Sequence, residues 1–219
     1  MPRPTKNEKP YIVVFCEGKS EQAYVEFLRQ KFRNKAVIDC SKQAGLFEEA
    51  DNKYKKDPKY RDYAVVTDEV WFFFDVETKD RGKWESRIKI IKRLRSLRKK
   101  PNIRVRLLMT TGCIEYWLML HYEMLAPSIQ TVTEKERMIN KVIDKEPTYK
   151  KGDLGSISKI AANYPTAIEN AKKTVFNLLP EGLPGLEDTD ERNQWLCDKC
   201  LTFSTVYEAI EYLENLKEY

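Results

Sequence analysis

Glu17 stands directly after an apolar run, Tyr11-Ile-Val-Val-Phe-Cys16, and directly before Gly18. Asp75 and Glu77 stand in the same way at the end of a second run, Val70-Trp-Phe-Phe-Phe74. If both runs are neighbouring strands, three acidic side chains meet at two strand tips and repel one another unless a cation lies between them. Oxygen clusters of this kind bind hard divalent ions such as Mg²⁺ or Mn²⁺. The carboxyl ends of strands are also where open α/β sheets hold their ligands. A carboxylate-held metal beside positive charge is the equipment of a site that handles phosphodiesters.

The elements that must position these residues can be read from apolar periodicity. Strands are expected over 11–16, 36–40, 70–75 and 103–109. Helices are expected over 20–33 and about 84–100, the first with Tyr24, Phe27, Leu28 and Phe32 on one face. Residues 42–67 suggest one further helix, stopped by Pro58. Strands joined by helices at this spacing imply parallel βαβ units. From Ile114 the pattern turns helical, over 114–125, 133–145, 153–162, 165–178 and 203–217, with an acidic Gly/Pro-containing loop over 179–200. The expected organisation is a polar tail at 1–10, an α/β core over 11–112 and a helical region over 113–219 that completes the site.

Charge is unevenly spread. Between Lys79 and Arg106 thirteen Lys/Arg face only Asp80 and Glu85, whereas residues 180–219 carry ten acidic groups against three basic ones. The basic block has two readings: a solvated helix face, or a surface for a polyanion. On the second reading Arg87, Lys92, Arg93, Arg95 and Arg98 contact a nucleic-acid backbone without reading its sequence, and Arg104 and Arg106 share a strand face turned to solvent or ligand. No apolar run approaches the roughly 20 residues of a membrane span, and the first ten residues do not resemble a signal peptide. Five cysteines, an odd number, fit reduced thiols, so a cytoplasmic protein is expected. Cys197-Asp-Lys-Cys200 offers half of a zinc site, but no complementary pair accompanies it.

Four signatures stand in order along the chain: Cys16-Glu-Gly-Lys-Ser-Glu21, Phe74-Asp-Val-Glu77, Gly112-Cys-Ile-Glu-Tyr-Trp-Leu-Met-Leu-His-Tyr122 and Phe203-Ser-Thr-Val-Tyr-Glu-Ala209. Together they resemble the RloB family of bacterial and archaeal proteins, from about residue 11 to 212. The first is similar to its E-G-x-(S/T)-E start, the third to its F-E-x-W-L-x-L-H helix, and the last to its S-T-x-V-Y segment. Two departures stand out: Asp75-Val-Glu77 replaces the usual D-x-D, and Thr111-Gly-Cys113 stands where Asn-Pro often opens the third signature. The resemblance implies a Toprim-like, mostly parallel sheet flanked by helices, with a helical C-terminal half. It implies that Glu17 acts as general base or metal ligand, with Asp75 and Glu77 holding Mg²⁺ or Mn²⁺. It also implies phosphodiester cleavage of RNA, tRNA included, or of DNA, in defence against phage, beside an ATPase partner.

Glu115 and His121, the only histidine, complete the candidate set. Glu115 either joins the acidic cluster or is a structural carboxylate. His121 either serves as acid/base or phosphate contact or is a core histidine. Lys19, after Glu17, is either placed for a phosphate at a helix N-terminus or simply solvent-exposed, and the same two readings hold for Lys150. Lys150 lies in Tyr149-Lys-Lys-Gly152, which resembles a Y-x-K element of the family. The competing expectation is a non-catalytic regulatory subunit of an ATPase complex that docks through its acidic 180–219 region. The sequence leaves homo-oligomerisation open.

Overall fold

The computed structural model describes residues 9–41, 45–99 and 101–218, so most of the expected polar tail and residues 42–44 lie outside the described residues. The apolar runs become four strands, β1 (Tyr11–Cys16), β2 (Val37–Cys40), β3 (Thr67–Val76) and β4 (Arg104–Thr111). They form one sheet in the order β2-β1-β3-β4, and every pairing is parallel. Parallel pairing follows from the helices that separate the strands, because a parallel return needs a crossover. It brings the tips of β1 and β3 side by side, with Cys16 opposite Phe73.

Both faces of β3 are covered, as its unbroken apolar run requires. Phe72 stacks on Phe47 of helix α2 (Phe47–Lys56), with ring centroids 4.2 Å apart. Phe15 meets Tyr60 of α3 (Pro58–Tyr63) on the same side. Phe73 points the other way, edge-on to Tyr24 of α1 (Lys19–Lys31), and Tyr24 in turn meets Trp117 of α5 (Ile114–Leu120). Alternation along the strands thus places α2 and α3 on one face of the sheet and α1 and α5 on the other. One continuous apolar core runs from Tyr11 to Leu213.

The structure departs from expectation in several places, among them the helix expected over 203–217, which is confined to Tyr207–Glu214. Pro58 begins α3 rather than merely ending α2, with Asp57 capping the new helix through Lys59 N–H. α4 (Trp84–Arg95) and α5 are shorter than the apolar pattern suggested. Arg106 is buried, not turned outward: it bonds to Glu69 through Nε at 3.1 Å and Nη2 at 3.2 Å and lies over the Tyr212 ring. The expected loop 179–200 contains a helix, α9 (Asp190–Lys199), capped by the Thr189 hydroxyl, which accepts from Arg192 N–H. Its acidic first turn and terminal lysine suit a helix dipole. The remaining helices are α6 (Val132–Lys145), α7 (Leu154–Ala161), α8 (Tyr164–Phe176) and α10 (Tyr207–Glu214).

The last sequence signature proves architectural. Ser204 forms an isolated antiparallel bridge with Thr110, laying 203–205 along the outer edge of β4. The Thr205 hydroxyl donates to Leu107 O at 2.9 Å and accepts from Met109 N–H at 2.9 Å, and its own N–H reaches Met109 O. One threonine thereby occupies the partners of an edge strand that would otherwise be open. Removing the hydroxyl leaves a buried N–H and a buried carbonyl without a partner. Thr205→Val is therefore expected to destabilise the fold by about 1–3 kcal/mol, measured by urea unfolding at constant m-value.

Candidate functional site

Glu17 follows β1 immediately and is exposed. Its N–H continues the ladder to Phe73 O at 3.0 Å, and its Oε2 accepts from Asp75 N–H at 3.0 Å. The side chain thus ties the two strand tips together. Asp75 is half-buried as a residue, yet its Oδ1 is sealed from solvent and has no hydrogen-bond partner.

Two more carboxylates arrive on first turns of helices. Glu21 on α1 is buried, and Gly18 leaves the room it needs: a Cβ there would stand 2.9 Å from Glu21 Oε2. Glu115 on α5 is 1% exposed. Its Oε1 accepts from the Tyr149 hydroxyl at 2.8 Å and faces Lys151 Nζ at 3.3 Å, while its Oε2 has no partner.

The four groups feel one another. Burial pushes the Asp75 carboxyl well above its ordinary range, and the charges of Glu21, Glu17 and Glu115 push it further against the opposing pull of Lys135. Burial also lifts Glu21 to about 7; backbone N–H groups oppose the rise, and Glu17 and Glu115 add to it. The Cys113 thiol is raised by burial and then by Glu115 and Asp75.

Glu77 and His121 are not brought into this company. Glu77 is held by ion pairs to Lys79 and Lys135. Burial alone would raise its carboxyl, but the two lysines hold it below the ordinary range. A capping box between Thr131 and Glu134 fixes the turn that delivers Lys135. His121 is fully buried about 9 Å along the chain axis from Glu115, at 1.5 Å per helical residue. Its Nδ1 donates to Trp117 O at 2.9 Å and its Nε2 accepts from the Tyr24 hydroxyl at 3.1 Å. Burial lowers its pKa to about 4, so it sits in the core as a neutral imidazole with both nitrogens engaged.

The basic stripe is largely consumed within the chain. Arg87 is buried, bonds to Asp80 at 3.0 Å and lies over the rings of Phe47 and Phe74. Arg93 pairs with Asp51. Arg95 grips Asp190 with two bonds of 2.8 Å, and Arg98 reaches Asp68 and Pro101 O. Arg104 pairs with Asp188. Part of the basic block thus meets the acidic 180–219 region in space, a partner that only the fold reveals. Lys92, Lys19 and Lys150 are exposed. In the loop before α7 it is Lys151, not Lys150, that reaches a carboxylate. Cys197 and Cys200 end α9: Cys200 takes the left-handed cap, with φ 53°, and its Sγ lies 3.0 Å from Cys197 O.

A cavity of about 300 Å³ opens beside Glu17, lined by Phe47, Lys79, Asp80, Lys83 and Arg87 among others. A larger one of about 700 Å³, bordered by Arg104, Phe176, Leu186 and Tyr212, contains none of the four carboxylates. Among the described residues, no three His, Cys, Asp or Glu side chains have already converged as a metal-ligand group. The donor chemistry nevertheless suits a hard divalent ion: all ligands are oxygens, and two sealed carboxylate oxygens, on Asp75 and Glu115, have no partner.

An all-parallel α/β sheet with carboxylates gathered at its strand tips defines the class to which the chain belongs. The family described as RloB-like protein matches residues 12–213, nearly the whole length, and the chain is a member of that family. Comparison with curated proteins and with solved structures returns no significant match. Among the described residues no helix is long and apolar enough to cross a membrane.

Glu21 lies within the first signature without standing out there, because in sequence it reads as an ordinary acidic first-turn residue. Its titration has a measurable sign. Between its ordinary 4.5 and about 7 the folded chain keeps a proton that the unfolded chain has released. The associated stability is fully present at the acid end and is lost as pH rises through 7. Glu21→Gln is therefore expected to raise the melting temperature at about pH 8 and to change it little at about pH 4, as differential scanning fluorimetry would show.

Proposed function

We propose that this chain is a metal-dependent, Toprim-type nuclease that cleaves phosphodiesters of RNA, tRNA included, or of DNA, in antiviral defence by abortive infection. The observation that supports this reading best is the pair of sealed, unpartnered oxygens, Asp75 Oδ1 and Glu115 Oε2, within one group of four carboxylates. A site that buries acids with oxygens unsatisfied, and holds the Asp75 carboxyl well above its ordinary range by burial, is matched to a ligand of high positive charge. Mg²⁺ or Mn²⁺ would be held by Asp75 and Glu17, with Glu115 and Glu21 closing the set. When bound, such a cation supplies charge neutralisation and polarises the phosphodiester.

The chain's own residues do the rest. Glu17 is the exposed member and is already oriented by the Asp75 N–H, so it is placed to accept the proton of the attacking water or hydroxyl. Glu77 stays with its lysines and positions them at the mouth of the site. Exposed Lys19 and Lys92 remain available to the substrate backbone. His121, engaged on both nitrogens, holds α1 against α5 and thereby sets the spacing between Glu21 and Glu115.

One observation favours a second reading. Glu77, expected as a metal ligand, is neutralised by Lys79 and Lys135, as it would be in a non-catalytic subunit of an ATPase-containing complex.

The deciding assay incubates the chain with tRNA, single-stranded RNA and duplex DNA in Mg²⁺, Mn²⁺ or EDTA. Cleavage that needs metal and falls by about 10²–10⁴-fold in Glu17→Gln, and is abolished in Asp75→Asn, is the expected result. Cleavage unchanged in both variants removes the mechanism. Absence of cleavage together with absence of metal-induced stabilisation supports the regulatory reading.

A further inference from the structure

The loop before α7 is built around Glu115. Tyr149, 5% exposed, donates its hydroxyl to Glu115 Oε1 at 2.8 Å. Gly152 N–H donates to the Ser20 hydroxyl at 3.0 Å, on the same helix turn that carries Glu21. Gly152 has φ 73°, and a Cβ there would stand 2.9 Å from Lys19 Cβ, so the turn is pressed against α1 in a backbone conformation that suits glycine. On the far side, Lys150 N–H reaches the Ser156 hydroxyl, and Asp153 caps α7 by accepting from Ser156 N–H at 2.8 Å. The loop backbone is thus fixed at both ends.

Its one long side chain at the site is different in kind. The Lys151 side chain is 60% exposed, yet its Nζ lies 3.3 Å from a carboxylate that is 1% exposed. A carboxylate withdrawn from water needs a counter-charge, and a lysine is a flexible point charge that gives up little when it leaves. Tyr149 and Lys151 share one oxygen of Glu115, while the other is unpartnered. A divalent cation attracted to Glu115 would therefore displace the exposed lysine before the sealed tyrosine. Once displaced, the ammonium stays tethered by its fixed backbone within a side chain's length of the carboxylates.

We propose that Lys151 is an exchangeable counter-ion: it balances Glu115 before a divalent cation binds, and afterwards contacts a phosphate of the nucleic-acid strand at the same site. The proposal rests on the nuclease reading above. It makes Lys151 a binding residue whose two tasks have opposite signs. Removing its charge takes away a competitor for the metal and a ligand for the phosphate.

The test uses the full chain, with Mn²⁺ alone as the first probe and a fluorescein-labelled, phosphorothioate-linked RNA strand in saturating Mn²⁺ as the second. Lys151→Met keeps the stem and removes the charge; Lys173→Met, at an exposed position of α8, makes the same charge change away from the carboxylates. Isothermal titration should show Lys151→Met binding Mn²⁺ about three- to tenfold more tightly than wild type, while the labelled strand binds about tenfold more weakly; tenfold is 1.4 kcal/mol. Lys173→Met should match wild type in Mn²⁺ affinity. Lys151→Arg should restore strand binding. If Lys151→Met binds Mn²⁺ as wild type does, or more weakly at an unchanged melting temperature, the exchange is wrong while the metal site stands. If wild type binds no Mn²⁺, the nuclease reading fails and the exchange fails with it.

Discussion

Four carboxylates are held at one end of a sheet, and the burial of three of them beside one another is the constraint around which the rest of the structure is arranged. Two of the three, Glu21 and Glu115, are buried as whole residues, where water cannot screen them and like charges interact more strongly than at a surface. Nothing local would keep them there. They are held because α1 and α5 are pinned to β3 by Tyr24, Phe73 and Trp117, far from solvent. Both acids occupy first helical turns, where the positive end of the helix dipole offsets part of the repulsion. The hydroxyl of Tyr24 on the His121 imidazole links the same two helices one layer deeper. The core aromatic cluster and the acidic cluster are therefore two ends of a single device.

The C-terminal half completes that device by supplying cations. Lys135 comes from α6 and Lys151 from the loop before α7, and each meets an acid from the first half of the chain or its boundary, Glu77 and Glu115 respectively. The same half closes the sheet edge through Thr205. A division of the chain at residue 112 describes a change in sequence pattern, whereas the core and the acidic site both draw on residues from either side of it.

The order of strands along the chain and the tip positions of Glu17 and Asp75 are legible in the sequence because they depend on short-range patterns: apolar runs, their lengths and the residues directly after them. The E-G-x-S-E signature likewise makes physical sense once Gly18 is seen to clear space for Glu21. Three features are not legible, for three reasons. Arg106 looks like an outward alternating residue, but its partner Glu69 lies on another strand, 37 residues away. α9 is hidden because the Gly/Pro content of 180–189 masks a segment whose own cap, Thr189, begins a helix. Glu77 looks equivalent to Asp75 because the two acids stand at alternate positions; Lys135, 58 residues distant in sequence, separates their fates.

The basic block shows how charge along a chain differs from charge in space. Its arginines are mostly committed: Arg87 to Asp80, Arg93 to Asp51, Arg95 to Asp190, Arg98 to Asp68 and Arg106 to Glu69. Several are buried or bidentate, where losing a partner strands a charge, so they are not free to regroup around a ligand. The cations paired with acids at or near the strand tips are lysines instead, Lys79 and Lys135 on Glu77 and Lys151 on Glu115. Lysine presents a mobile point charge without the planar fork that reads shape. On the proposed function, a phosphate arriving at the tips would be met by point charges that carry no sequence information. On that same proposal, selectivity among polyanions would come from how a strand fits the cavity between Phe47, Lys79 and Lys83, or from a partner that presents it.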